Sequence, residues 1–262
     1  MAQQNIINEK FGFTYNHDSV HTKRTIMYKE LEALFTAAED HKATLNDYCN
    51  AVCIDNCTRK ATDRTKKDTF NALKKLYILN SEKVIFRALR YFWDRDVKGR
   101  SRLAYICAYA QDSILRETTE VILKQPIDKE VSKDLVQTYI ERLYENRFSN
   151  VMRASLTRNL RSSWTQAQYL CGKVIKKRIS NVTAGAVAYA LLLAYLNGGR
   201  GHSLFYSNYA KLLDCSVETA IELAEETARK GWIVFKRIGN IMEILFPNIL
   251  TEQEMGWIRE QN

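Results

Sequence analysis

Apolar positions repeat every three or four residues along most of this chain, which is the spacing of amphipathic helices. Helices are predicted from about Thr22 to His41 (Ile26, Leu31, Leu34, Phe35), Thr44 to Cys57 and Thr62 to Leu79 (Phe70, Leu73, Leu76, Tyr77). A fourth, capped by Ser81, carries Val84, Ile85, Leu89, Phe92 and Trp93. A fifth runs from Arg102 to Lys124 and stops at Pro126. A further helix spans Ser132–Arg147. The next begins at Val151, breaks at Ser162-Ser163 and resumes as the short helix Trp164–Leu170. The β-prone basic run CGKVIKKRISN follows.

The last third is patterned differently. Ala184–Leu196 is apolar all round, the mark of a buried helix. It is too short for a bilayer span of roughly 20 residues. After a glycine-rich break come a β-prone run at His202–Tyr206, the polar segment SNYAKLLD and a helix over Ser216–Lys230. Trp232–Ile238 and Ile241–Phe246 then alternate as two strands around Gly239-Asn240, residue types that tolerate positive φ. This order predicts a winged helix-turn-helix over 183–250. The helix and basic ribbon of 127–182 predict a second winged-helix-like unit before it. A polar arm over 1–21, a helical bundle over 22–126 and a tail over 251–262 complete a mainly α chain with small hairpin wings.

Composition narrows the class. The chain has 262 residues, 46% of them hydrophobic, with only two prolines and ten glycines, so a mostly helical fold is expected. Six scattered cysteines and no basic-then-apolar leader point to reduced thiols in the cytoplasm. Cys49, Cys53 and Cys57 share one helical face, but they lack the CxxC or His partners of a metal site and read as small hydrophobes. His17 and His21, four apart, likewise lack a third ligand.

Net charge is +9, which favours a polyanionic partner. Its distribution is more specific. No Asp or Glu occurs from Asn146 to Leu213, in a chain with 30 acidic residues. Within that span the helix and ribbon carry Arg153, Arg158, Arg161, Lys173, Lys176, Lys177 and Arg178. These are the expected DNA-phosphate contacts, with Ser155, Thr157, Asn159, Ser162, Ser163 and Thr165 adding neutral hydrogen bonds. Lys74, Lys75 and other cations of Thr62–Leu79 form a further basic face. The helix Ser216–Lys230 carries Glu218, Glu222, Glu225 and Glu226, so phosphates would repel it. Its unit reads as a docking module whose wing adds only Lys236 and Arg237. No phosphate loop, nucleophile elbow or zinc-protease motif occurs, and a non-enzymatic, cofactor-free protein is expected.

The blocks TRKATDRTKKDTFNALKKLYIL, FRALRYFWDRD, LAYICAYAQDSILRETTEVIL and SLTRNLRSSWTQAQYL resemble the BrxA family of the bacterial BREX phage-defence systems. AGAVAYALLLAYLNGGRGHSLFYSNYAKLLDCS and ARKGWIVFKRIGNIMEILFPN are similar to that family's C-terminal part, so the likeness runs from about residue 44 to 250. It implies an N-terminal region similar to the antitermination factor NusB, winged-helix elements, and a DNA-binding, non-enzymatic role beside other defence proteins. Double-stranded DNA is thus the expected partner. A scaffold docking an acidic protein and a NusB-like RNA binder are the alternatives.

Overall fold

A computed structural model describes residues 8–14, 19–239 and 241–260. It is predominantly helical, with two small antiparallel hairpins. His17 and Asn240, on which two sequence expectations bear, lie outside the described residues. In chain order the helices are α1 (Tyr28–Ala37), α2 (Leu45–Cys53), α3 (Asp63–Tyr77), α4 (Val84–Arg95), α5 (Arg100–Gln111), α6 (Ser113–Leu123), α7 (Lys133–Leu143) and α8 (Asn150–Gln166). Strands β1 (Leu170–Cys171) and β2 (Lys177–Arg178) follow, then α9 (Ala184–Leu196), α10 (Asn208–Lys211) and α11 (Val217–Arg229). Strands β3 (Val234–Ile238) and β4 (Ile241–Leu245) and helix α12 (Glu252–Arg259) end the chain. Short 3-10 turns occupy Val20–Thr22, Val97–Gly99 and Gly201–Tyr206. No helix among the described residues is long and apolar enough to cross a membrane.

The chain forms two compact units that interleave in sequence. The first comprises Met1–Phe13, Glu82–Ile106 and Asn181–Asn262; the second comprises Thr14–Ser81 and Cys107–Ser180. The contiguous segments expected above do not coincide with these groupings. Contacts between elements distant in sequence define a unit, and hydropathy does not encode which helices meet.

In the first unit α9 is the core, buried along nearly its whole length as its pattern predicts. It packs on α4, α10 and α11. Its cap, Thr183, makes no side-chain capping bond. Asp96 supplies one from far away, its Oδ2 accepting from the Gly185 backbone N–H at 2.9 Å. A Cβ on Gly185 would meet that same carboxylate, so glycine lets the acid approach. Phe11 packs against Trp257 and Phe13 against Tyr209, so residues 8–13 are seated in this unit rather than forming a polar arm. The expected tail is instead α12, started by a capping box between Thr251 and Glu254. Glu254 is held by Arg87 at 2.6 Å. The expected strand at His202–Tyr206 is a 3-10 turn, with Leu204 and Phe205 buried.

In the second unit α2 packs on α3 and α7 on α8. Several expected helix boundaries differ from the structure: the helix expected from Thr22 to His41 spans Tyr28–Ala37, and Leu170, the expected end of a short helix, lies in β1. The single helix Arg102–Lys124 is two, because Asp112 caps α6 by accepting from the Leu115 N–H at 2.9 Å. Conversely, Ser162-Ser163 does not break α8. The Ser163 hydroxyl donates to the Asn159 carbonyl one turn back, at 2.9 Å, so it does not pull the backbone out of the helix.

Candidate nucleic-acid interface

The expected phosphate contacts fall into three groups. Arg161 and Arg178 are structural. Arg178 is fully buried; its Nε donates to the Ile122 carbonyl at 2.9 Å, it also bonds the Ile179 carbonyl, and it stacks on the Tyr169 ring. Arg161 is 7% exposed and donates to the Val131 carbonyl at 3.0 Å; burial lowers its pKa. Arg178 thus uses several donors on backbone carbonyls, whereas Arg161 spends one donor on Val131. They are withdrawn from the surface where sequence reasoning placed them.

Arg153 and Lys176 are partly engaged. Arg153 pairs with Glu141 at 3.3 Å and bonds the Asn150 side chain. Lys176 folds onto the Gly172 carbonyl at 2.6 Å, and burial lowers its pKa, with nearby Arg161 adding to the effect. Arg158, Lys173 and Lys177 remain exposed. Of the neutral groups, Thr157 and Ser163 are buried, Asn159 donates to the His21 carbonyl at 2.8 Å, and Thr165 bonds the Arg161 carbonyl. Ser155 and Ser162 are half-exposed. With Val151 and Arg158 they sit at the i, i+4, i+7, i+11 spacing of one helical face.

The basic ribbon is a short hairpin in which Leu170 pairs with Arg178 and Cys171 with Lys177. Its loop needs Gly172, at φ +97°, where an added Cβ would clash with the Ile175 carbonyl oxygen. The loop exposes Lys173, Val174 and Ile175, with Val174 88% exposed.

The β3 cations Lys236 and Arg237 stand in a different field. Lys236 faces Glu243 across the β3–β4 pair at 3.2 Å. Arg237 borders a groove of about 660 Å³ with Glu218, Glu222 and Glu225 of α11.

Two constellations were missed in the sequence. One is a buried Ser–His–Asp arrangement. His21 Nε2 is 3.0 Å from Ser163 Oγ, and its Nδ1 is 3.1 Å from Asp112 Oδ2, a close electrostatic contact that falls short of hydrogen-bond alignment. The order matches a nucleophile triad but the proton does not. The Ser163 hydroxyl donates to Asn159 O and accepts from the Ile26 N–H, so the ring nitrogen is its donor rather than its base. All three side chains are buried. The set is a pin that fixes the turn Val20–Thr22. Burial alone would push the Asp112 carboxyl up; the His21 ring and bonds from Leu115 and Ser19 outweigh it and hold its pKa at about 2.

The other is a cavity of about 650 Å³ in the second unit, in front of that pinned turn. Lys23, Arg24, Lys75 and Arg147 border it, with Asp68 the one carboxylate among its described lining residues. These cations lie on separate stretches of sequence, and only the helical spacing of Asp68, Asn71 and Lys75 hinted that part of α3 shares a face.

Counted over the sequence, the second unit contains 24 of the 39 basic residues and 17 of the 30 acidic ones, a net of +7 that leaves +2 for the first. The excess positive charge therefore concentrates in the second unit. Comparison of the chain with family models, curated proteins and solved structures finds no match.

Proposed function

We propose that this chain is a non-enzymatic protein that binds duplex DNA through its phosphates, using the exposed face of α8 and the β1–β2 hairpin. The carrying observation is that Arg158, Lys173 and Lys177 stay exposed in a stretch, 146–180, that has no carboxylate. Such cations release condensed counterions when they meet phosphates, so affinity should fall steeply with salt. Val174 and Ile175 at the hairpin tip suit an apolar contact beside the sugar–phosphate edge. Under this reading the first unit's α10, α11 and β3–β4 form a winged helix-turn-helix used for docking, since glutamates surround its wing cations. In the same reading the second unit is the NusB-like part, and the BrxA resemblance favours an accessory role in a BREX defence system. The buried serine whose proton is already committed supports the non-enzymatic part of the proposal.

The test is fluorescence anisotropy of a labelled duplex across a salt series. Three lost phosphate contacts should flatten the log–log salt slope by about three. They should weaken low-salt binding about a hundredfold, at roughly 1 kcal/mol each. The triple variant Arg158→Glu, Lys173→Glu, Lys177→Glu should show both. Full affinity in that variant would sink the proposal. Stronger competition by structured RNA than by duplex DNA would move it to RNA.

A further inference from the structure

The cationic cavity of the second unit is separate from the α8–hairpin surface: none of Arg158, Lys173 and Lys177 lines it. Its walls bring Lys23 and Arg24 from the exit of the pinned turn, Lys75 from α3 and Arg147 from beyond α7 around one space. Among the described residues, no carboxylate forms an ion pair with Lys23, Arg24 or Arg147. Among the described lining residues, Asp68 stands against Lys23, Arg24, Lys75 and Arg147. Gathering like charges costs free energy unless an anion joins them.

Two features preorganise the cations. The turn before Lys23 is anchored from behind: the Ser19 hydroxyl and the Val20 N–H both donate to the Asp112 carboxylate at 2.7 Å, and His21 is locked between Asp112 and Ser163. Arg147 lies over two rings, its guanidinium carbon 5.2 Å from the centroids of both Tyr144 and Phe148. Tyr144 is itself bonded to Glu117. Stacking holds the planar fork in place and leaves its donors for a ligand. A guanidinium so held is suited to bidentate contact with phosphate oxygens.

The volume sets the rest of the ligand. About 650 Å³ falls in the range of sites for small organic molecules and is far more than a bare phosphate fills. Val20, Ala72 and Ile114 give it apolar wall, and Asn71 a neutral amide. We propose that this cavity binds a phosphate monoester carried on a nucleoside-sized body, supplied either by a free nucleotide or by the phosphorylated end of a nucleic-acid strand.

The experiment is titration calorimetry of the full chain with two matched pairs. One pair is a nucleoside 5′-monophosphate and the same nucleoside. The other is a short single-stranded oligonucleotide with a 5′-phosphate and its 5′-hydroxyl form. Preference for the phosphorylated member by about tenfold, roughly the 1.4 kcal/mol of a charge-assisted contact, is expected in at least one pair. Preference within the first pair assigns the source as free nucleotide, and within the second as a strand end. The variant Lys23→Gln, Arg24→Gln, Arg147→Gln should abolish the preference, and the exposed single variant Lys23→Gln should reduce it with an unchanged melting curve. The triple change at Arg158, Lys173 and Lys177 should leave it intact, so this proposal and the duplex-binding one fail separately. No discrimination in either pair overturns it. So does discrimination that survives the cavity variant, or inorganic phosphate binding as tightly as the monophosphate.

Discussion

The chain builds a two-stranded hairpin in each of its units, and the two place their cations in opposite settings. In the first unit, Lys236 of β3 faces Glu243 of β4 at 3.2 Å, and Arg237 borders a groove with three glutamates of α11. The exposed apolar tip residues Ile238 and Ile241 project beside these matched charges. In the second unit the β1–β2 loop also exposes apolar side chains, Val174 and Ile175, but Lys173 and Lys177 beside them lie in sequence without acids. The difference lies in neutralisation rather than in secondary structure. A hairpin whose cations already have carboxylates gains little from a phosphate, because the existing pair must be given up first. The second unit's hairpin has Glu130 across from Lys177 but shows no ion pair on Lys173 or Lys177 among the described residues, so it keeps more of the counterion release.

A second contrast lies in how each unit treats its buried charges. The first buries Arg102 on two carbonyls, Leu212 O at 3.1 Å and Asn181 O at 3.2 Å. The second also buries arginines on carbonyls, Arg161 and Arg178, and adds a histidine against a carboxylate. The largest expected effect tests that pin. Asp112→Ala removes the acceptor of the Ser19 hydroxyl and of the Val20 and Leu115 N–H groups and leaves His21 facing an empty site. A loss of about 3–5 kcal/mol is expected in urea unfolding, the range for breaking a buried pair. A loss under 1 kcal/mol would mean that the turn is held by something else.

Acid sharpens the same point. The Asp112 carboxyl titrates at about 2 in the folded chain against an ordinary 3.8. Its stabilisation is therefore complete above about pH 4 and drains away as pH falls towards 2, by roughly 2 kcal/mol. Unfolding free energies measured between pH 5 and 2 should show this slope in the parent and lose most of it in Asp112→Asn. An equal slope in both would remove Asp112 as its source.

The smallest effects belong to the first unit. Glu243→Gln breaks an exposed cross-strand pair and should change stability by less than about 1 kcal/mol. Lys236→Gln with Arg237→Gln should change duplex affinity by less than about threefold, near the cost of half a kilocalorie. A tenfold loss there would erase the distinction between the hairpins and return DNA contact to the second wing.

How much of this was legible beforehand depended on the range of the interaction. The α9 helix was readable because an unbroken apolar run has no stable alternative to burial. The β3–β4 pair was readable because alternation and Gly239 at φ +58° are local properties. The split at Asp112 was not readable. An aspartate inside an apolar-periodic run looks like a tolerated polar residue until Ser19 and Val20, 93 and 92 residues earlier, arrive to use it as an acceptor. Arg161 and Arg178 misled for the opposite reason. Charge argues for the surface, but packing gave each guanidinium a buried backbone carbonyl to donate to, Val131 O and Ile122 O.

The amino-acid order by itself determined the helical character of the chain, the place of its two hairpins, and the acid-free stretch that concentrates positive charge in one unit. These follow from periodicity, turn chemistry and composition, which neighbours in sequence set between them. Tertiary structure alone decided which cations stay exposed, which acids face the β3–β4 cations, and that four basic residues from separate segments share one cavity. Electrostatics acts through space, so the partner of a charge is chosen by packing and not by its place in the chain.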